Sequence, residues 1–263
     1  MRSHAKLLST LAVCLLLGAP FTTGCAGTAA KEQQELDARK AISHLDIGGD
    51  HLAHGRQALA LREFMAAEQL DPKNPKVQNA LAEAYLAQGK REDSEKHYRR
   101  AIELFPDFHD ARLSLAVLLI LEQRYPEAQI LCKALLDDPT FPAPWRALAN
   151  LGFAEMQLGQ LAPAREHLKL ALEYQKSYWP ATLSLAQLEL KEGHRREAIG
   201  LLREVLDLTP GPAVQAQANY QIAEIYISLG QREQAVAHLS SAVQQTPDGL
   251  WGKRSEEYLK LLR

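Results

Sequence analysis

Cysteine is scarce in this chain, and the few cysteines present do not form a pair. Cys14 lies inside an apolar N-terminal run and is expected to be removed with it, whereas Cys25 follows that run directly. Cys132 lies in a strongly helical, apolar context and is expected to be a small buried hydrophobe. The sequence therefore excludes a scaffold held together by disulfide bonds.

An excess of positive charge is also missing. Residues 1–24 carry two basic and no acidic side chains, so the remainder holds 28 of the 30 basic residues and all 32 acidic ones, a formal charge of −4. A nucleic-acid-binding protein needs a basic surface to neutralise phosphates. Nucleic acid is therefore not an expected partner.

The usual signatures of catalysis are absent as well. The chain has no phosphate-binding glycine loop, no GxSxG elbow and no HExxH pair. His44, His51 and His54 are close in sequence, but a zinc site needs more ligands in a tighter arrangement, so packing or solvation explains them better. The sequence predicts no enzyme, no metal, no cofactor and no small-molecule substrate.

The N-terminus has the pattern of a secretory signal. Arg2 and Lys6 precede the apolar run 7–17, whose 11 residues are too few for the ~20 needed to span a bilayer. Two interpretations of "TTGC" (22–25) remain open. Cleavage near Gly24 could release a soluble protein, or the segment could be a lipoprotein box in which Cys25 becomes the acylated N-terminus. The box usually has Leu, Val or Ile where this chain has Thr22. The absence of aspartate after Cys25 favours the outer membrane.

What the chain does contain is helix-forming sequence with a regular repeat. Ala, Leu, Glu, Gln, Lys and Arg dominate, and β-branched residues are few. The segments "HLAHGRQALALREFMAAEQLDP" (51–72) and "YLAQGKREDSEKHYRRAIELFP" (85–106) match with an offset of 34 residues. This period, with small residues at positions 8 and 20 and a turn residue, mostly glycine, at position 15, is typical of tetratricopeptide repeats.

The sequence thus predicts an all-α, right-handed superhelical solenoid of six tetratricopeptide repeats plus a C-terminal capping helix. The predicted segments are a signal peptide (1–24), a lipidated cysteine and coiled tether (25–40), six repeats (41–74, 75–108, 109–142, 145–178, 179–212 and 216–249) and the capping helix (250–263). One repeat cannot bury its apolar face alone, whereas stacked neighbours can.

The concave wall of such a solenoid is the expected binding surface. Positions 2, 5, 9, 12 and 13 of each first helix line this wall, and here they are mostly apolar, which suits an apolar helix or strand as ligand. The alternative is that these side chains only pack against one another. The predicted groove residues are Ile42, Leu45, Leu52, Leu113, Val117, Ile120, Leu121, Phe153 and Met156.

The complete chain resembles the type IV pilus biogenesis lipoproteins, the pilotins of the PilF/PilW/Tgl type. The resemblance covers the lipid signal, the acidic tether, six repeats and the last helix. It is most specific in "DDPTFPAPWRALANLGFAEMQLGQLAPAREHLKLALE" (137–173), where two extra residues precede the fourth repeat. It implies an outer-membrane lipoprotein, on the periplasmic face, that promotes multimerisation of the pilus secretin through a groove in the early repeats.

Two other functions fit the same repeats. The protein could be a lipoprotein scaffold for another envelope machine, such as outer-membrane barrel assembly or peptidoglycan synthesis. It could also be a soluble periplasmic adaptor, if Cys25 is not modified. Neither alternative can be separated from the pilotin hypothesis by the repeat pattern alone.

Overall fold

The computed structural model describes residues 23–262, with side chains described from residue 28 onward. The predicted signal peptide lies almost entirely outside these residues, as does the side chain of Cys25. The described part is all-helical, without strands, and each helix packs against the next along the chain. The helices are α1 (Thr23–Ala53), α2 (Gln57–Leu70), α3 (Pro75–Ala87), α4 (Arg91–Leu104), α5 (His109–Leu121), α6 (Tyr125–Leu136), α7 (Pro144–Gln157), α8 (Leu161–Tyr174), α9 (Trp179–Lys191), α10 (Arg195–Asp207), α11 (Pro212–Ser228), α12 (Arg232–Gln245) and α13 (Leu250–Leu261).

Helices α1 to α12 form six antiparallel pairs, and α13 packs on the last pair. Several neighbouring first helices also touch one another: α1 with α3, α5 with α7 and α7 with α9. Second helices of adjacent pairs approach each other less closely. The stack therefore curves toward the first helices. Their solvent-facing sides together form the concave inner wall of a tetratricopeptide repeat solenoid.

The turns and crossings follow from residues that the repeat pattern singled out. Five pairs turn at a glycine with φ between 71° and 86°, the left-handed region in which glycine has no steric penalty. The third pair has Gln123 there, at φ 60°. At the α7–α8 crossing, a Cβ added to Gly152 would lie 2.7 Å from Leu168 Cγ and 3.0 Å from the Ala164 carbonyl oxygen. A larger residue would push the helices apart.

Cys132 is buried and free, packed with Ala116 and Leu151 in the middle of the stack. Its apolar surroundings raise the pKa of the thiol to about 12, so the thiol stays protonated at neutral pH. This confirms the prediction that Cys132 acts as a small core residue.

The coiled tether was the wrong prediction for residues 28–40, which belong to α1. Their Ala, Glu, Gln and Lys content favours helix, and adding residues to an existing helix avoids the cost of nucleation. Gln33 donates a hydrogen bond to Asp37 at 2.8 Å, and Lys40 pairs with Asp37 at 3.8 Å. Within residues 23–262, every helix is too short or too polar to cross a lipid bilayer.

Candidate protein-binding groove

Two apolar pockets open on the inner wall. The first, here called the front pocket, has a volume of about 600 Å³. It lies between the second half of α1, the start of α3 and the turn before α5. Its apolar surface comes mainly from Ile42 and Leu45, which were predicted, and from Phe105 and Phe108, which were not. The front pocket is lined by Ile42, Leu45, Asp46, Asn74, Pro75, Lys76, Phe105 and Phe108.

The two phenylalanines belong to the turn "FPDF" between the second and third pairs. Phe105 is 48% exposed, and its ring lies 6.2 Å from that of Phe108. A prediction confined to the first helices could not include them, because they lie between helices. The available signal was two aromatic residues in a turn, where polar residues are usual.

The second pocket, here called the rear pocket, is smaller, about 180 Å³, and lies across α5, α7 and α9. Four predicted groove residues meet there: Val117, Ile120, Leu121 and Phe153. Val117 and Leu121 are 37% and 50% exposed, and this exposed apolar area is available to a partner. The remaining lining residues are Ala149, Asn150, Pro180 and Ser184.

Three of the predicted groove residues lie elsewhere. Leu113 is buried with Leu135, Phe141 and Ala147, because the longer turn before α7 brings Phe141 over it. Met156 is fully buried in the core cluster shared by α7, α8 and α9. The prediction that Leu113 and Met156 line the open groove was therefore wrong.

Leu52 is half-buried against the core cluster of α1–α3 and lines neither pocket. Farther along, Tyr220 is covered by α13, with the rings of Trp251 and Tyr258 at 5.2 and 6.5 Å. The open apolar surface of the inner wall is therefore concentrated in the front and rear pockets.

A polar patch, here called the acidic patch, is formed by Asn79, Glu83 and Asp110. Asn79 Nδ2 donates a hydrogen bond to Glu83 Oε1 at 2.8 Å, and Asn79 Oδ1 is buried without a partner. Glu83 keeps an exposed surface, but the groups packed around its carboxyl remove part of its hydration, which raises the pKa of the carboxyl above its usual value. The hydrogen bond from Asn79 opposes this rise in pKa, and the negative charge of Asp110 adds to it.

Replacing Glu83 by glutamine is expected to stabilise the fold at pH 7 and to have little effect near pH 4. The pKa of Glu83 is higher in the folded state, so between the unfolded value of about 4.3 and the folded value the folded state binds more protons. Its contribution to stability therefore falls as pH rises through this window, whereas a glutamine side chain at this position does not titrate. Thermal melts of both proteins across this pH range measure the effect.

The matched control is Glu166→Gln, at an exposed position on α8. It should leave the melting temperature unchanged at both pH values. A Glu83→Gln shift that does not depend on pH would contradict the prediction.

Two of the three histidines that lie close together in the sequence have local partners, whereas His51 Nδ1 is buried without a hydrogen-bond partner. His44 Nδ1 lies 2.8 Å from a Glu63 carboxylate oxygen, and His54 Nδ1 lies 2.8 Å from the Asp50 carbonyl oxygen. In the described part of the chain, the one group of three close potential metal ligands is Glu189, Glu192 and His194. Both glutamates of that group are ion-paired with Arg165, whose single positive charge offsets one of their two negative charges.

Comparison with known proteins agrees with this architecture. Family models described as tetratricopeptide repeat match residues 79–141, 146–178 and 189–253, which together exceed half of the chain. The chain is 29% identical over 219 residues to DnaJ homolog subfamily C member 3 of Rattus norvegicus. That match covers 78% of this chain but spans only 43% of the relative's length.

A second kind of relative comes from type IV pilus assembly. The chain is 27% identical over 199 residues to type IV pilus assembly protein PilF of Pseudomonas aeruginosa, covering 73% of this chain and 75% of that protein. Among solved structures, PilW, described as a widely conserved type IV pilus biogenesis factor, superposes with a TM-score of 0.71 at 21% identity, covering 81% of this chain and 97% of PilW.

The structure of Pseudomonas aeruginosa PilF gives a TM-score of 0.66 at 18% identity, covering 84% of this chain and 99% of that one. At these identities the two structures support the fold, and the sequence match to PilF supports the relationship. The chain therefore belongs to the tetratricopeptide repeat proteins, a family of protein-binding scaffolds, and is related to type IV pilus biogenesis factors.

Proposed function

We propose that this protein is an outer-membrane lipoprotein that promotes assembly of the type IV pilus secretin, acting as its pilotin. The observation that carries the proposal is the extent of the match to PilF, which covers about three quarters of both chains. The eukaryotic relative is matched over less than half of its length. A relationship along most of both chains supports a shared role better than a match to one repeat-containing region.

The inner wall suits this role. Subunits of a ring-forming membrane protein expose apolar segments and unpaired strand edges before the ring closes. The front and rear pockets offer apolar contact area, with Ile42 52% and Leu121 50% exposed. A groove tethered at the membrane would hold such subunits close together and raise their effective concentration, to roughly millimolar.

Deleting the gene is expected to leave secretin monomers, to remove most heat-resistant multimers and to abolish surface pili. Ile42→Glu combined with Leu121→Glu should reproduce the loss, because a partner would have to bury two unpaired carboxylates. This should lower the multimer-to-monomer ratio at least about tenfold. An immunoblot of the secretin measures that ratio, with circular dichroism to verify folding.

Ile130→Glu is the matched control, because Ile130 is 67% exposed on α6 and lines neither pocket. It should support normal multimers. Normal multimers in the deletion strain would refute the pilotin role and favour a scaffold for another envelope machine. Normal multimers in the groove variant alone would keep the role and move the binding surface elsewhere.

The proposed lipid anchor is Cys25, which precedes the described side chains. Cys25→Ala is expected to abolish incorporation of labelled palmitate and to shift the protein from the membrane fraction to the soluble periplasm, because the anchor comes from acyl chains on that sulfur and its new amino terminus. Cell fractionation and acyl labelling measure both effects. Cys132→Ala, which removes a buried thiol, should leave labelling unchanged. Membrane retention of the Cys25 variant would exclude the anchor.

A further inference from the structure

The acidic patch lies on the same sides of α3 and α5 as residues that line the two apolar pockets. On α3, Lys76 lines the front pocket and Glu83 follows two turns later on the same side. On α5, Asp110 lies in the first turn, and Val117 in the rear pocket follows seven residues later, about 10 Å along the helix. A segment that crosses the wall from the front pocket to the rear pocket passes over the patch.

The patch accepts hydrogen bonds and has no positive charge of its own. Within the described residues, neither Glu83 nor Asp110 has an ion-pair partner. Asn79 donates its amide nitrogen to Glu83 at 2.8 Å, which holds that carboxylate in place and leaves its other oxygen free to accept a hydrogen bond. Lys76 lies seven residues, about 10 Å, before Glu83 and does not reach it.

Two other acidic clusters in the described part of the chain are arranged differently. Arg124 bonds to Glu95, Glu122 and Glu127, each within 3.1 Å. Arg165 pairs with both Glu189 and Glu192. These clusters carry their own cation, whereas the acidic patch lacks one, so its two exposed carboxylates remain available to a basic group of a partner.

We propose that the groove binds a protein segment in which one lysine or arginine lies between two sets of apolar side chains. The basic group would bond to the exposed carboxylates of Glu83 and Asp110, while the apolar side chains fill the front and rear pockets. Asp110 in the patch and Leu121 in the rear pocket lie about 17 Å apart along α5, a distance that five or six extended residues can span. For the identity of the partner the inference rests on the proposed function, but for the chemistry of the segment it rests on the groove alone.

Selection of phage-displayed random 12-residue peptides on the purified protein tests the proposal. Peptides enriched on the unmodified protein should carry a lysine or arginine flanked by apolar residues. The double variant Glu83→Gln, Asp110→Asn should enrich apolar residues without the basic one. The double variant Glu166→Gln, Glu173→Gln, with both changes at exposed positions on α8, is the matched control and should select as the unmodified protein does.

The enriched peptides then allow a double-mutant cycle by fluorescence anisotropy. Replacing the basic residue of a peptide by glutamine should weaken binding to the unmodified protein about tenfold, and should change binding to Glu83→Gln, Asp110→Asn by less than about twofold. Equal losses on both proteins would overturn the proposal. So would enrichment without a basic residue, or no enrichment at all.

Sedimentation of the protein alone tests whether a second copy of this chain occupies the groove. A concentration-dependent dimer that Glu83→Lys dissociates would assign the groove to a second copy and overturn the proposal. The peptide preference and the proposed function can fail independently of each other. Normal secretin multimers in the deletion strain would refute the pilotin role without altering the peptide preference, and peptides lacking a basic residue would refute the preference without altering the multimer phenotype.

Discussion

Replacing His167 by alanine is expected to lower the free energy of unfolding by about 3–5 kcal/mol. Its partner, Glu155 on α7, is 1% exposed. The Glu155 carboxylate accepts hydrogen bonds from His167 Nδ1 at 2.6 Å and from Gln129 Nε2 at 3.3 Å. Without the histidine, a buried carboxylate would keep only the longer of these bonds, and burying a charge without a partner is costly.

Urea unfolding followed by circular dichroism measures the loss. His194→Ala is the matched control, since His194 is more exposed and its partner Glu189 keeps the ion pair with Arg165. The control should cost less than about 1 kcal/mol. Replacing both Glu155 and His167 by leucine should recover most of the stability, because no buried charge is left. Equal losses for the two alanine variants would show that the Glu155–His167 contact contributes no more than a surface pair.

Replacing Ala116 by phenylalanine is expected to destabilise the fold by about 3 kcal/mol, because the core around it has no room for a ring. Ala116 is fully buried and packs with Cys132 on α6 and Leu151 on α7. A ring at this position would push α5 away from both helices. In a stacked solenoid such a displacement also weakens the contact between neighbouring repeats, on which their stability depends.

The melting temperature of the Ala116→Phe variant should be about 6–12 °C lower than that of the unmodified protein. Ala134→Phe introduces the same side chain at an exposed position of α6 and should shift the melting temperature by no more than about 2 °C. Similar melting temperatures for the two variants would contradict the packing assigned to Ala116.

The repeat architecture could be predicted because its requirements are local and recur. A glycine that allows positive φ and a small residue at a helix crossing leave a pattern that period alone makes visible, as Gly89 and Gly152 show. The front pocket could be predicted only in part. Ile42 and Leu45 follow the helical pattern, whereas Phe105 and Phe108 lie in a turn whose course depends on how α4 and α5 pack.

The sequence by itself determined the helical class, the number of helix pairs and the positions of the small crossing residues, since each depends on neighbours at a fixed spacing along the chain. Only the tertiary structure decided which apolar side chains remain open. Leu113 and Val117 look alike in the repeat pattern, but the longer turn before α7 covers Leu113 with Phe141 and leaves Val117 at the rear pocket. The acidic patch likewise depends on how the second and third helix pairs stack, because this brings the charge of Asp110 within electrostatic range of Glu83, and no spacing within one helix specifies that arrangement.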